Sequence, residues 1–197
     1  ALHINIENYP AVKQYLLDFG KKRLEQSGEK YTDGLKARKK TNNKWFETQD
    51  TIAYYPEFEK EKVVWAETDQ SLNTVIVPKG MYLQKTCFMI IAPNPRLING
   101  FLNSSTSQWY IRNLSSNLGQ SGMSLTKDSV QEIPLPSISK SDEHIVKQIE
   151  SIVDKIFEAK KKNPDAETSP WEREIDELVY RLYDLTAEEV RIIEDGI

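Results

Sequence analysis

The sequence predicts an α+β fold: a small, mostly antiparallel sheet with flanking helices, followed by a long spacer helix and a short C-terminal helical pair. Three observations predict it. Consecutive segments between residues 62 and 92 are rich in β-branched and aromatic residues, apolar residues repeat in heptads from residue 145, and two helix-capping patterns follow. With 39% hydrophobic and 28% charged residues, the 197-residue chain has the composition of an ordinary globular protein that can bury a core.

The first half of the chain alternates one amphipathic helix with loops and strands. Apolar residues spaced along residues 9–25 predict a helix, and the polar, glycine-containing residues 27–43 predict a loop. Consecutive strands are predicted by segments punctuated by Gly80 and two prolines; these segments are residues 62–67 (KVVWAE), 73–78 (NTVIVP) and 81–92 (MYLQKTCFMIIA).

After the strands, residues 97–110 predict a short helix that begins soon after Pro95. Residues 115–127 (SSNLGQSGMSLTK) are small and polar and predict a loop. Residues 133–136 (IPLP) cannot form a central strand, because proline lacks an amide donor.

The C-terminal third is predicted to be helical. A heptad seam of Ile145, Ile149, Ile152, Ile156 and Ala159 lies in a helix predicted over residues 142–162, which would be roughly 31 Å long at 1.5 Å per residue. Further helical sequence covers residues 170–195, with caps expected at Ser169 and Thr186. We therefore predict two parts, a binding domain over residues 1–136 and a helical segment over residues 137–197.

Positive charge is concentrated in one segment, although the net charge is −4. Residues 21–46 contain nine basic and three acidic side chains, whereas residues 137–197 contain nine and sixteen. The basic segment is either a solvated helix end and loop or a nucleic-acid contact surface. Under the second interpretation the predicted phosphate contacts are Lys36, Arg38, Lys39, Lys40 and Lys44, with Asn42 and Asn43 among them. Trp45 is expected to pack beside the loop, with base stacking as the alternative.

The sequence lacks the common motifs for catalysis and metal binding. It contains no glycine-rich phosphate loop, no zinc-binding His–Glu helix and no Gly-x-Ser-x-Gly elbow, and residues 92–95 (APNP) are not an adenine methyltransferase motif. One cysteine and two distant histidines make a metal site improbable and favour a reducing compartment. No run of residues is apolar enough for a membrane helix, and no secretory signal is present. We expect a cytoplasmic chain that catalyses nothing itself.

Two regions of the first half resemble one protein family. The first consists of residues 44–47 (KWFE) and 55–65 (YPEFEKEKVVW), and the second of residues 85–90 (KTCFMI) and 97–104 (LINGFLNS). Both are similar to passages in the C-terminal specificity domains of type IIG restriction–modification enzymes.

The second half extends the resemblance. Residues 132–136 (EIPLP) before the heptad helix are also typical of type I specificity subunits, and residues 175–186 (IDELVYRLYDLT) resemble the ending of type IIG enzymes. Relatives often carry a glycine pair and an arginine in the loop before IPLP, whereas this chain has Gly119-Gln120-Ser121-Gly122-Met123-Ser124. That loop could read bases through other residue types, or pack against the spacer helix.

The resemblance implies a target-recognition domain in a bacterial defence system. We expect the chain to be a C-terminal fragment whose upstream part transfers a methyl group from S-adenosylmethionine to adenine N6. The resemblance leaves open an Mg²⁺-dependent nuclease domain in the same polypeptide. No cofactor is expected in the fragment itself, and its expected partners are double-stranded DNA and the upstream methyltransferase domain.

Base readout requires polar side chains on exposed loops. Two loops qualify, residues 68–73 and 112–124. Their candidate readout residues, added to Asn42 and Asn43, are Gln70, Asn73, Arg112, Asn113, Asn117 and Gln120.

The sequence also allows an alternative function. In a protein-interaction or assembly module, the heptad helix and the acidic C-terminal tail would dock a partner protein and DNA would be irrelevant. The same seam is explained equally well by one amphipathic helix that folds onto its own domain.

Overall fold

The computed structural model describes residues 4–50 and 54–197. The chain divides into two compact units, Ala1–Pro56 and Glu57–Ile197. The α-helices are α1 (Pro10–Leu24), α2 (Pro95–Asn103), α3 (Ser105–Leu114), α4 (Lys127–Gln131), α5 (Glu143–Lys162), α6 (Ser169–Leu182) and α7 (Ala187–Asp195). The strands are β1 (Lys62–Ala66), β2 (Thr68–Asp69), β3 (Thr74–Val77), β4 (Cys87–Ile90) and β5 (Met123–Ser124). Short 3-10 turns cover Ile6–Asn8, Tyr55–Glu59, Gly119–Ser121 and Lys140–Asp142.

The first unit contains α1 and a loop segment that returns on itself. A helix lies at the predicted position, but none of its residues is buried, and its backbone breaks at Gly20, where φ is +113°. Glycine tolerates this conformation, which side-chain-bearing residues rarely adopt. Residues 25–41 then form a short irregular ladder, in which Gly28 N–H donates to the Arg38 carbonyl and Arg38 N–H donates to the Glu25 carbonyl, both at 2.9 Å.

The second unit is built on a three-stranded antiparallel sheet with the strand order β3-β1-β4. The central strand aligns Val64 with Val75 on one side and with Met89 on the other. Since β1 has a neighbour on both edges, its first four residues are buried. A separate two-stranded ladder joins β2 to β5. The predicted antiparallel α+β class is confirmed.

The heptad seam lies inside the core of the second unit. Ile145, Ile149 and Ile152 are buried, and together with Val153 they belong to the same apolar cluster as Val63 and Trp65 of the sheet. Helix α5 approaches α2 closely at Gly100, where an added Cβ would lie 2.8 Å from Ile149 Cγ2. The predicted long helix is confirmed, and its apolar stripe covers its own domain.

Helix α6 is tied to the start of α3 by a carboxylate. Asp176 accepts hydrogen bonds from the Ser105 N–H and hydroxyl, both at 2.7 Å. Burial raises the pKa of Asp176, and the two Ser105 bonds oppose that rise. The Tyr183 hydroxyl donates to the Pro134 carbonyl, so the end of α6 also holds the IPLP segment.

Some element bounds differ from the sequence-based expectation. The single helix predicted over residues 97–110 is two helices, because Ser104 adopts an extended backbone and its side chain caps α3. The strand predicted over residues 81–92 is limited to Cys87–Ile90, whereas the predicted C-terminal helical pair is confirmed as α6 and α7. The residue that precedes α6 is Thr168 rather than Ser169, whereas the Thr186 cap is confirmed as a capping box with Glu189.

The predicted boundary between a binding domain over residues 1–136 and a helical segment over residues 137–197 stays a prediction. Helix α5 packs against α2 within the second unit. Among the described residues, no helix has both the length and the apolar character that crossing a membrane requires.

Candidate nucleic-acid interface

Arg38 holds the loop segment of the first unit together. Its guanidinium donates to the carbonyl of Leu24 at 2.6 and 2.9 Å, of Trp45 at 2.6 Å and of Glu47 at 3.0 Å. An arginine that is engaged by three backbone carbonyls has few donors left for a phosphate. The sequence singled out Arg38 as a phosphate contact, but the structure gives its side chain this internal role.

Gln26 closes the same loop from the other side. Its side chain is 5% exposed, and its amide N–H groups donate to the carbonyls of Lys44 and Glu47 at 2.9 and 3.0 Å. Its amide oxygen accepts from the Thr41 hydroxyl. Because a buried amide without partners is costly, these bonds fix residues 41–48 in one conformation.

The predicted lysine contacts lie on the surface of the loop segment of the first unit. Lys36, Lys39, Lys40 and Lys44 are all exposed. Within residues 4–50 and 54–197, Lys36 and Lys40 form no ion pair, and the Lys39–Asp50 pair is long at 4.0 Å between side chains that are 71% and 78% exposed. These ammonium groups are free to meet a polyanion.

Aromatic rings support two of the basic side chains. Lys21 Nζ lies 5.7 Å from the centre of the Trp45 ring, and Lys44 Nζ lies 5.6 Å from the centre of the Phe46 ring. The two rings meet edge to face at 5.6 Å. Trp45 is half-buried beside the loop, which agrees with the packing role expected for it.

The neighbouring asparagines differ from each other. Asn42 and Asn43 are both exposed. Asn43 is partly engaged, since its side-chain N–H donates to the Thr48 carbonyl at 2.9 Å. The side chain of Asn42 has no hydrogen bond within the part of the chain that the structure describes.

In the second unit, the two predicted readout loops meet. Thr68 and Asp69 pair with Ser124 and Met123 in the β2–β5 ladder. Beyond the ladder, Gln70 Nε2 donates to the Gln120 carbonyl at 3.0 Å. Segments about fifty residues apart in sequence therefore form one surface, defined here as the loop pair, residues 68–73 and 116–124.

Gly122 makes this meeting possible. Its φ is +91°, and a Cβ built on it would lie 2.6 Å from the Asp69 carbonyl carbon and 2.9 Å from Gln70 N. The obstacle is backbone rather than a flexible side chain, so only glycine fits. The loop before IPLP thus pairs with the β2 loop.

The six predicted readout side chains of this unit are all exposed. Four of them lie on the loop pair, and Arg112 and Asn113 lie in the last turn of α3. Asn73 donates to the Asp69 carboxylate at 3.1 Å, Asn113 to the Trp109 carbonyl at 2.7 Å, and Asn117 accepts from Gly119 N–H at 2.7 Å. Arg112 has no side-chain hydrogen bond or ion pair among the described residues.

Three residues that anchor the loop pair or the residue next to it in the chain were missed by the sequence-based reasoning. Gln108 binds both backbone groups of Leu72, at 3.0 and 2.8 Å. Asn103 binds Thr74 N–H and carbonyl at 2.8 and 3.0 Å, and Trp65 Nε1 donates to the Leu125 carbonyl at 2.8 Å. The side-chain amides of Gln108 and Asn103 each bond to the backbone N–H and carbonyl of one residue, as a neighbouring strand would. Such contacts leave no periodic pattern in the sequence.

The first unit exposes a cluster of lysines and the second unit a polar loop pair, and both features are typical of the class of nucleic-acid-binding domains. More specifically, the chain belongs to the family of TaqI-like C-terminal specificity domains, whose family model matches residues 4–135. It is accordingly a DNA target-recognition domain of restriction–modification type. The matched region includes both surfaces and ends at the IPLP segment. None of the curated proteins matches the chain in sequence.

Proposed function

We propose that the chain recognises a specific sequence in double-stranded DNA and positions it for an adenine-N6 methyltransferase domain located upstream in the same polypeptide. The observation that carries this proposal is the loop pair, in which two separately predicted readout segments are hydrogen-bonded into one exposed polar surface. Such a surface can present several side chains to neighbouring base pairs in a fixed arrangement.

The two surfaces have different tasks in this proposal. Phosphate contacts set position and supply affinity without sequence information, and this task falls to Lys36, Lys39, Lys40 and Lys44. Contacts with base edges supply sequence choice, and this task falls to the loop pair together with Arg112.

A separate recognition domain suits base methylation, because an enzyme that modifies a base inside a duplex must first rotate it out of the stack. The flanking sequence then has to be held in register by other residues. S-adenosylmethionine would bind in the upstream domain, as would Mg²⁺ if a nuclease domain is present. The proposal gives this chain no part in binding either.

The alternative, an assembly module that docks a partner through its heptad seam, loses its main support. The seam residues Ile145, Ile149 and Ile152 are 0–5% exposed and are covered by the chain's own core. A partner protein could not use this seam without unfolding the second unit.

The lysine cluster provides the first test. Replacing Lys39, Lys40 and Lys44 together with alanine should weaken binding to all duplexes alike. The slope of log affinity against log salt should also become shallower by up to about 2.7, since each phosphate that is no longer neutralised accounts for about 0.9. Fluorescence anisotropy with a labelled duplex at salt concentrations between about 50 and 200 mM measures both quantities.

The matched control replaces three other exposed lysines, Lys160, Lys161 and Lys162, with the same change in net charge. This variant should keep the slope of the unmodified chain. Unchanged binding after the first replacement, or an equal loss in the control, would contradict the assigned phosphate contacts.

Site choice is tested in the enzyme that carries this chain. Gln70→Ala, Asn73→Ala, Arg112→Ala or Gln120→Ala should relax or abolish the choice of methylation site while S-adenosylmethionine binding persists. If all four variants methylate the same site at the normal rate, base readout lies elsewhere, with residues 42–43 as the next candidates.

A further inference from the structure

Gln120 combines a fixed backbone with a free side chain. It lies in the 3-10 turn Gly119–Ser121, and its carbonyl accepts from Gln70 Nε2 at 3.0 Å. The turn is closed by the bond from Leu118 N–H to the Gly122 carbonyl at 2.7 Å. These two hydrogen bonds fix the backbone from which the Gln120 side chain projects.

The other exposed amides of the second unit's readout set each have one end engaged. Gln70, Asn73 and Asn113 donate through their N–H groups, and the amide oxygen of Asn117 accepts a backbone N–H. In the described chain, the side chain of Gln120 has no hydrogen-bond partner at either end. Of these five amides, Gln120 is the one with both its donor and its acceptor available to a ligand.

An amide with both ends free matches one base edge in the major groove. Adenine presents the N6 amino group as donor and N7 as acceptor, whereas guanine presents two acceptors at the same positions. Glutamine can accept from N6 through Oε1 and donate to N7 through Nε2 at the same time. It cannot satisfy the two guanine acceptors equally well, because it has only one donating end.

We propose, on the basis of the proposed function, that Gln120 reads an adenine of the target sequence through this two-point contact. Gln70 is then a positioning residue, since it acts on the base through the Gln120 backbone. The recognised sequence contains an A·T pair at the position that faces residue 120.

Selection from a random duplex pool tests the proposal. The 197-residue chain and its variants Gln120→Ala and Gln120→Arg are incubated with the pool, and the bound duplexes are sequenced. The unmodified chain should select a motif with an adenine at one position. At that position Gln120→Ala should accept all four bases, and Gln120→Arg should prefer guanine. The other positions of the motif should be unchanged.

A second probe addresses the N7 contact directly. Replacing that adenine by 7-deazaadenine removes the N7 acceptor and keeps base pairing. Gln120→Ala removes both hydrogen bonds and should weaken binding to the motif about 5- to 150-fold. The 7-deazaadenine duplex lacks only the N7 contact, so it should weaken binding of the unmodified chain by part of that factor and leave binding of Gln120→Ala unchanged. The control is Gln148→Ala, the same replacement at an exposed glutamine on α5. This variant should prefer adenine, and be weakened by 7-deazaadenine, to the same extent as the unmodified chain.

The possible failures are distinguishable. If Gln120→Ala keeps the adenine preference, the Gln120 contact is refuted and sequence recognition by the domain stands. If the unmodified chain binds the pool but enriches no motif, both the contact and the proposed function are refuted. Equal thermal unfolding of the variants and the unmodified chain excludes a folding defect as the cause.

Discussion

Gly122→Ala should separate the two halves of the loop pair. The added Cβ would lie 2.6 Å from the Asp69 carbonyl carbon and closer still to the Asp69 carbonyl oxygen. Both atoms belong to the β2 backbone, so the conflict is relieved only if the β2 and β5 segments move apart. The bond from Gln70 Nε2 to the Gln120 carbonyl would then break as well.

The expected magnitude follows from two contributions. A positive φ costs a side-chain-bearing residue about 1–2 kcal/mol. Breaking the Gln70–Gln120 bond and the Leu125–Glu67 bond, which both join the two segments, costs about 1 kcal/mol each. The free energy of unfolding should therefore fall by about 3–4 kcal/mol, which lowers the melting temperature by roughly 6–16 °C for a chain of this size.

The assay is urea unfolding combined with selection from a duplex pool, and Gly119→Ala is the control. Gly119 has a φ of +65°, but an added Cβ would meet nothing within 4 Å, so only the cost of the positive φ applies. Gly122→Ala should lose both stability and motif selection, and Gly119→Ala should lose about 1–2 kcal/mol and retain the motif. Equal effects of the two replacements would refute the role assigned to Gly122.

Two further predictions concern the framework. Gly100→Ala should destabilise the second unit by up to about 2 kcal/mol. The gain in helix propensity, about 1 kcal/mol, is smaller than the cost of overlap with Ile149 Cγ2 and Val153 Cγ2. In a double-mutant cycle with Ile149→Ala the two losses of stability should sum to less than additive, and additive losses would contradict the overlap. Burial raises the pKa of Asp176, so its stabilising contribution is complete at low pH and declines as the pH rises through that raised value. The free energy of unfolding, measured by urea titration, should therefore fall for the unmodified chain relative to Asp176→Asn as the pH rises above about 4. A difference between the two chains that does not change with pH would contradict the raised pKa of Asp176.

The parts of the fold that sequence predicted well are those with a periodic pattern. Ile145, Ile149 and Ile152 repeat at heptad spacing and are buried along α5 as expected. The helix predicted over residues 97–110 had the right content but the wrong number of helices, because one extended residue, Ser104, interrupts an otherwise continuous apolar pattern.

The candidate site was predictable in its residue types and not in its contacts. Lys40 and Arg38 look alike in a basic run, yet one is exposed and the other bonds three carbonyls inside the loop. The β2–β5 ladder has two residues in each strand, which is too short for a period-two pattern to reveal. Pairing between distant short segments depends on the complete fold, which places Gly122 against Asp69.

The central claim is that this domain distinguishes DNA sequences, and one competition measurement tests it most directly. The motif enriched from a random pool is compared with a duplex of the same composition in permuted order, at about 150 mM salt, by displacement of a labelled probe. Sequence recognition predicts that the chain prefers the motif by about 10³-fold or more. Equal displacement by the two duplexes would reduce the domain to a general phosphate binder and contradict the account.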